Sequence, residues 1–273
     1  MRTDTGPTDN RHGAEPSALP APKLLARDWI AGLERGIAVI EAFDEEHPRL
    51  TASQVGERCG LARTAARRYL LTLEHLGFVA TDGKQYWLTP RVLRLGQRYL
   101  SSARLPKLAQ PFLQRVSAAI QEIAYLAVLD EGEIVYVARN GPSRVMNSGF
   151  VLGARVVSHV TAAGLLLMSL RPPEEVRAWL AERELPAFTP YTVTDKAVFL
   201  ERLATFKRQG WGLSERQLDL DCRGIAVPLR DNKGDIHGAL SVVMPIQHET
   251  TAAAVQRVLP ALQMAAQGLR DII

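Results

Sequence analysis

The sequence predicts an α+β chain: an N-terminal winged helix-turn-helix, joined by a linker helix to a C-terminal domain built on an antiparallel sheet. Three observations carry this. A capped short helix, a Gly-containing turn and a basic helix follow one another; an Asp-Gly hairpin comes directly after them; and helices alternate with two further hairpin patterns downstream. At 273 residues the chain has the length of two domains. The expected division is a disordered tail over 1–28, a winged unit over 29–90, a linker helix over 91–105 and a second domain over 106–273.

Met1 to Pro22 is polar and bears Pro and Gly, which predicts disorder. It lacks the basic, apolar, small-residue order of a secretion signal, and no apolar run nears the roughly 20 residues of a membrane span. A cytoplasmic protein without a membrane partner is therefore expected. Cys59 and Cys222 stand far apart, which argues against a disulfide scaffold or a CxxC metal site.

Leu33, Ile37 and Ile40 recur at helical spacing, predicting an amphipathic first helix over Trp29 to Asp44. After Pro48, Thr51-Ala52-Ser53-Gln54 has capping-box spacing and starts a helix that stops at Gly60. The next helix, Ala62 to Leu76, gathers Ala66, Tyr69, Leu70, Leu73 and Leu76 on one side. Arg63, Thr64, Arg67 and Arg68 gather on the other. A short helix, a tight turn and a helix with a basic N-terminal face form the plan of a helix-turn-helix, whose second helix enters the major groove of double-stranded DNA. Arg63, Thr64 and Arg67 are expected at base edges and Arg68 at phosphate, with Thr51 and Gln54 completing the DNA-facing set.

Phe78 to Thr81, the turn Asp82-Gly83 and Lys84 to Leu88 predict a hairpin, with Lys84 at its tip beside phosphate. Thr89-Pro90 then starts a helix over Arg91 to Ala103 that carries Arg91, Arg94 and Arg98. Charge follows the same division. Leu61 to Arg104 holds eight Lys/Arg against two acids, a net of +6, whereas Leu105 to the end holds 18 basic and 17 acidic residues. A cationic excess confined to one segment fits a face that meets a polyanion.

The second half predicts helices over Pro106–Gln121, Thr161–Leu170, Pro173–Arg183, Asp195–Gln209 and Thr250–Arg270. Tyr125–Leu129 pairs with Ile134–Ala138, and Ile225–Leu229 with Ile236–Val243, each across a turn. The best place for a small acid is Ser158 to Gly164. Thr161 is a plausible N-cap, and Ala162 and its small neighbours leave a helix start open to a carboxylate. His159 offers a hydrogen bond there, or is simply a packed core residue. Met146 and Leu152 offer apolar wall, Cys222 and Ser241 small polar groups, and Arg144 a partner for a carboxylate or a surface ion pair. The chain contains no HExxH, no Gly-x-Ser-x-Gly elbow and no GxxxxGK[ST] loop. No enzyme, metal or cofactor is expected.

Leu33-Glu34-Arg35-Gly36-Ile37-Ala38-Val39-Ile40 and the run from Leu61 to Leu73 resemble the IclR family of regulators. The core Arg63-Thr64-Ala65-Ala66-Arg67-Arg68 and the segment Leu88 to Gly96 are similar to the subgroup that controls protocatechuate and p-hydroxybenzoate catabolism. The likeness continues through Val137-Ala138-Arg139, Arg144-Val145-Met146, Gly153-Ala154-Arg155 and Gly210-Trp211. It departs at Leu165, where the subgroup usually has Arg, at Gln217, where Glu is general, and at Asp221, where Gly is common. The resemblance implies a GAF-like or PAS-like effector-binding domain whose cavity is lined by the stretch His159-x-Thr161-Ala162-x-Gly164. It implies a small aromatic carboxylate of the hydroxybenzoate type, or a related dicarboxylic breakdown product, as effector. A homodimer or dimer of dimers on a palindromic or repeated operator is expected, with RNA polymerase as a further partner. Two other readings stay open: a regulator of this family sensing a different organic acid, and a DNA-binding protein whose C-terminal domain only oligomerises.

Overall fold

The computed structural model describes residues 26–142, 150–246 and 249–273, in two compact units, one ending at Ser102 and one running from Ala103 to Ile273. The tail expected over residues 1–25 lies outside the described residues. Ala26–Asp28, placed in that tail by the sequence, forms a turn of 3-10 helix.

The first unit opens with α1 (Ala31–Glu41), which packs beside α3 and buries Val39. This corrects the expected inward face. Leu33 and Ile37 are exposed and Ile40 is only half-buried, because α3 covers one flank of α1 and that flank is centred on Val39. α2 (Ala52–Arg58) begins with the predicted capping box. Gln54 N donates to Thr51 Oγ1 at 3.4 Å, and Thr51 N to Gln54 Oε1 at 2.9 Å. Gly56 makes the following turn possible, since a Cβ there would lie 2.6 Å from the Leu61 carbonyl oxygen. α3 (Arg63–His75) buries Ala66, Leu70 and Leu73 against that turn. Leu76, expected on the same face, is exposed, because the helix has closed at this C-cap and the chain turns away through Gly77.

The wing is β1 (Val79–Thr81) paired antiparallel with β2 (Tyr86–Leu88). Its loop spans four residues rather than the expected Asp82-Gly83 pair. Thr81 Oγ1 accepts from Gly83 N at 3.0 Å, and Asp82 Oδ1 accepts from Lys84 N and Gln85 N at 2.9 and 2.8 Å. Those side chains take amides that a two-residue hairpin would give to the ladder. Thr89 caps the 3-10 turn Pro90–Val92, and α4 (Leu93–Ser102) follows.

The second unit has three layers. A six-stranded antiparallel sheet, ordered β5-β4-β3-β8-β7-β6, lies between two groups of helices. Its strands are β3 (Ile123–Asp130), β4 (Glu133–Asn140), β5 (Arg155–Val157), β6 (Gly212–Glu215), β7 (Cys222–Arg230) and β8 (Ile236–Pro245). α5 (Arg104–Ile120) and α9 (Thr251–Arg270) cover one face, where Leu126, Ile225 and Val242 point. α6 (Ala162–Ser169), α7 (Pro173–Ala181) and α8 (Lys196–Gln209) cover the other, where Tyr125, Tyr136 and Ala226 point. The alternation follows from the two-residue period of a strand, and both faces are apolar because both are covered. Every residue of α6 is buried, which explains its uniformly apolar sequence AAGLLLMS.

One polar clasp stands in this core. Arg223, 2 % exposed, donates from Nη2 to Glu215 Oε1 at 3.1 Å and from Nε to Glu215 Oε2 at 3.2 Å. Thr251 Oγ1 donates to the same carboxylate at 2.8 Å, tying β6 and β7 to the start of α9. Burial alone would raise the Glu215 pKa, but Arg223 and Thr251 outweigh it and hold the carboxyl below its ordinary value. Because the folded value is depressed, this contribution is present at neutral pH and is lost as pH falls through it, below about pH 4. Glu215→Ala is expected to cost about 2–3 kcal/mol in urea denaturation at pH 7 by stranding the Arg223 guanidinium. The difference from wild type should shrink steadily toward pH 3; a pH-independent difference would show that the ion pair is not its source.

Candidate DNA-facing surface and ligand cavity

In the first unit, Arg63, Thr64, Arg67 and Arg68 are all exposed on one side of α3. Among the described residues no carboxylate pairs with any of these arginines. The N-cap of α3 is Ala62, which offers no capping oxygen, so the first amides of the helix face solvent within this basic cluster. Thr51 and Gln54 sit at the start of α2, but their mutual cap bonds occupy Thr51 Oγ1 and Gln54 Oε1. Lys84 is exposed on the wing loop. The structure adds a residue that sequence reasoning passed over. Arg49 lies 4.1 Å over the Trp87 ring on the wing, with Asp82 Oδ2 4.0 Å from its Nη1. The signal was present as a cation just before the Leu50–Tyr86 bridge, but its place on the wing needed the three-dimensional pairing.

The second unit has a tight, partly open cavity of about 20 Å³ between the sheet and the start of α6. That is little more than the room one water needs and far below the roughly 300–1,000 Å³ of occupied ligand sites. Its walls stand close, with free width little greater than a water molecule, so a ring seated here must press them apart. Tyr136, Ser241, Cys222 and Gly224 form the sheet side. Thr161, Ala162 and Ala163 form the helix side, and Phe150, Gln217 and Leu218 complete the wall.

Sequence explains why α6 approaches so closely. A Cβ on Gly164 would lie 2.4 Å from Ser158 Cα, and one on Gly212 would lie 2.8 Å from Ala162 O. Ser214 Oγ also donates to Val160 O at 2.6 Å, fixing the preceding turn to β6. Thr161 Oγ1 accepts from Gly164 N at 3.0 Å. The N–H groups of Ala162 and Ala163 have no acceptor among the described residues. Two hydroxyls share that condition: Ser241 Oγ, in the cavity wall, and Tyr125 OH, on the neighbouring strand, are buried without a partner. Tyr125 packs its ring 4.6 Å from Tyr136 and 6.4 Å from Phe150. Burial pushes the Tyr125 phenol up to about 12 and raises Tyr136 as well, so both are neutral hydrogen-bonding groups at physiological pH. The site thus offers unpaired donors, an aromatic wall and no carboxylate side chain.

Of the expected cavity residues, Thr161, Ala162, Cys222 and Ser241 meet in this one space. Leu152 does not: it is 45 % exposed, and Phe150 supplies the apolar wall from the same loop. His159 also falls outside the lining. It is buried, its Nε2 lies 2.9 Å from Pro186 O, and its ring sits 6.0 Å from Phe188. Burial lowers its pKa against the opposing effect of that carbonyl, which leaves a neutral ring in the role of a packed, satisfied residue. Arg144 and Met146 lie outside the described residues.

Residues 97–270 match the family described as bacterial transcriptional regulator IclR, C-terminal, and residues 32–83 match the IclR helix-turn-helix domain. The chain is 40 % identical over 256 residues to the p-hydroxybenzoate hydroxylase transcriptional activator of Acinetobacter baylyi, an alignment spanning 92 % of this chain and 94 % of that protein. An IclR homolog from Microbacterium hydrocarbonoxydans, solved in complex with 4-hydroxybenzoate, superposes with a TM-score of 0.71 at 28 % identity, over 88 % of this chain and 97 % of that one. A double mutant of the PobR inducer-binding domain from Acinetobacter, in complex with 3-hydroxybenzoic acid, superposes with a TM-score of 0.60 at 34 % identity, over 63 % of this chain and 100 % of that one.

Burial, with the Asp219 carboxylate adding to it, pushes the Cys222 thiol up to about 12. At pH 8 its thiolate fraction is then about a thousandfold below that of an unfolded cysteine. In a Cys59→Ser background, a disulfide reagent followed by absorbance should label native Cys222 at least that much more slowly than the urea-unfolded chain. Equal rates would place the thiol outside an enclosed cavity.

Proposed function

The chain belongs to the IclR family of transcriptional regulators, and on that premise we propose a two-part mechanism. The basic face of α3 and the wing hold operator DNA, and an aromatic carboxylate of the hydroxybenzoate class occupies the cavity over α6 and changes operator affinity. Arg63, Thr64 and Arg67 read base edges, while Arg68, Lys84 and Arg49 meet phosphate. Thr51 and Gln54 act by holding the first helix of the motif in place. The active form is a cytoplasmic homodimer or dimer of dimers, as two half-sites require, and RNA polymerase is a further contact.

The observation that carries the effector assignment is the pair of amides of Ala162 and Ala163, buried in a cavity without acceptors. A carboxylate satisfies both and meets the positive end of α6. Tyr136 and Phe150 supply the apolar surface that a benzene ring needs, and Ser241 Oγ is a hydroxyl in want of a partner. Relatives of this chain with bound 4-hydroxybenzoate and 3-hydroxybenzoic acid support the same ligand class. A C-terminal domain that only oligomerised would leave the two amides and Ser241 Oγ unexplained.

Arg63→Ala and Arg67→Ala should each weaken operator binding by about 1–3 kcal/mol and relax preference at one base pair. Lys84→Ala should weaken all duplexes alike and lower the salt slope by about one. Fluorescence anisotropy on labelled duplexes across a salt series measures both effects, and unchanged affinity in all three variants would remove the assignment. For the cavity, Ser241→Ala should weaken 4-hydroxybenzoate or 3-hydroxybenzoate binding by about 0.5–1.5 kcal/mol in calorimetry. The same variant should melt higher than wild type without ligand, because a buried unpaired hydroxyl has gone. An unchanged ligand affinity would take Ser241 out of the site.

A further inference from the structure

Behind the cavity wall stands a cation that the fold does not neutralise. Arg202, on α8, donates from Nη1 to Gln217 Oε1 at 3.1 Å and from Nη2 to Leu213 O at 3.4 Å. Its guanidinium carbon also lies 5.9 Å from the Phe206 ring centre. Among the described residues no carboxylate pairs with it, and burial holds its pKa below that of an ordinary arginine. Arg202 is half-buried; Arg223, the fully buried arginine of this unit, has a carboxylate on two of its nitrogens.

Gln217 is the bridge between that cation and the ligand space. It lines the cavity, and its amide is fully engaged. Oε1 accepts from Val193 N at 2.9 Å as well as from Arg202, and Nε2 donates to Tyr191 O at 2.5 Å and to Glu215 O at 3.3 Å. A glutamine is neutral. It satisfies the geometry of the guanidinium and leaves its charge uncancelled, one residue from a cavity whose walls carry no ionised side chain. Half-buried beside the cavity wall, such a charge is screened less than one on the open surface and acts over several ångströms.

We propose that Arg202, acting through Gln217, is the counter-charge that makes this cavity select the ionised carboxylate form of its ligand over a neutral one. Arg202 is a positioning residue, not a contact. The open amides of α6 bind the carboxylate oxygens, and Arg202 supplies the net charge that offsets the loss of the anion's hydration. The proposal rests on the effector reading above and sharpens it, since amides alone would also accept from a neutral carboxamide oxygen.

The test uses the full-length protein and calorimetric dissociation constants for 3- and 4-hydroxybenzoate and for the corresponding neutral hydroxybenzamides. Wild type should prefer acid to amide. Arg202→Gln should lower that preference about tenfold by weakening the acid while leaving the amide nearly unchanged. Arg202→Lys, which keeps the charge, should retain most of it. Gln217→Glu sets a carboxylate against Arg202 without altering side-chain length, and should lower the preference as Arg202→Gln does. An unchanged acid-to-amide ratio in Arg202→Gln and Gln217→Glu, or equal losses of both ligands, would overturn the proposal and reduce Arg202 to a packing residue. Wild type that bound neither acid nor amide would instead overturn the effector reading itself.

Discussion

The C-terminal unit is organised around a helix start that is buried before its hydrogen bonds are complete. An exposed N-terminus gives its free amides to water, and that of α3 does so within a basic face. The start of α6 has no such outlet. Each buried amide without an acceptor costs about 1–3 kcal/mol, so a fold that keeps two of them side by side must hold them there by other means. The bond from Ser214 Oγ to Val160 O, the cap from Thr161 to Gly164, and the close approaches at Gly164 and Gly212 all serve that end. The cavity is what remains between this rigid corner and the sheet. On the proposed reading, its unsatisfied groups are what an anionic ligand would complete.

The tightness of the cavity bears on regulation. A ligand alters a protein's preference between two arrangements only by binding them unequally. In this site an aromatic ring must displace walls that leave little more than the width of a water molecule. Gln217 is among those walls, and it also holds the loop before α8 through Tyr191 O and Val193 N. Thr192 Oγ1 donates to Gln217 O at 2.6 Å and Thr189 Oγ1 to Arg216 O at 2.5 Å, so the same loop is stitched to both sides of that residue. Displacing Gln217 would therefore break bonds that hold this loop. If the ligand seats here as proposed, its contacts with Gln217 would be coupled to that loop through these bonds.

Legibility in the sequence tracked the range of the signals. The helix-turn-helix was readable because its marks are local: the Thr51–Gln54 cap, the glycine after α2, and an apolar stripe opposite an Arg/Thr stripe on α3. What failed there depended on neighbours. The buried flank of α1 is chosen by α3, and the length of the wing loop by the side chains of Thr81 and Asp82. β5 and β6 went unpredicted because strands of three and four residues carry almost no periodicity, and pairing alone makes them strands. In the cavity, Thr161 and Ala162 were found by helix-start chemistry, and Cys222 and Ser241 as small polar groups on strands. Tyr136, Phe150 and Gln217 come from distant parts of the chain, so only the closed sheet brings them together. His159 and Leu152 were misplaced for the converse reason: nearness in sequence to a wall residue does not decide which way a side chain turns. A usable signal existed at Tyr125 and Ser241, polar-tipped residues at inward positions of otherwise apolar strands, the pattern of a core that leaves a place for something else.

The most direct measurement is nuclear magnetic resonance of the ¹⁵N-labelled protein during titration with 4-hydroxybenzoate and 3-hydroxybenzoate. If a carboxylate completes the helix start, the backbone amides of Ala162 and Ala163 should show the largest downfield proton shifts in the chain. Saturable binding that left those two resonances in place, with the principal changes elsewhere, would contradict the account at its foundation.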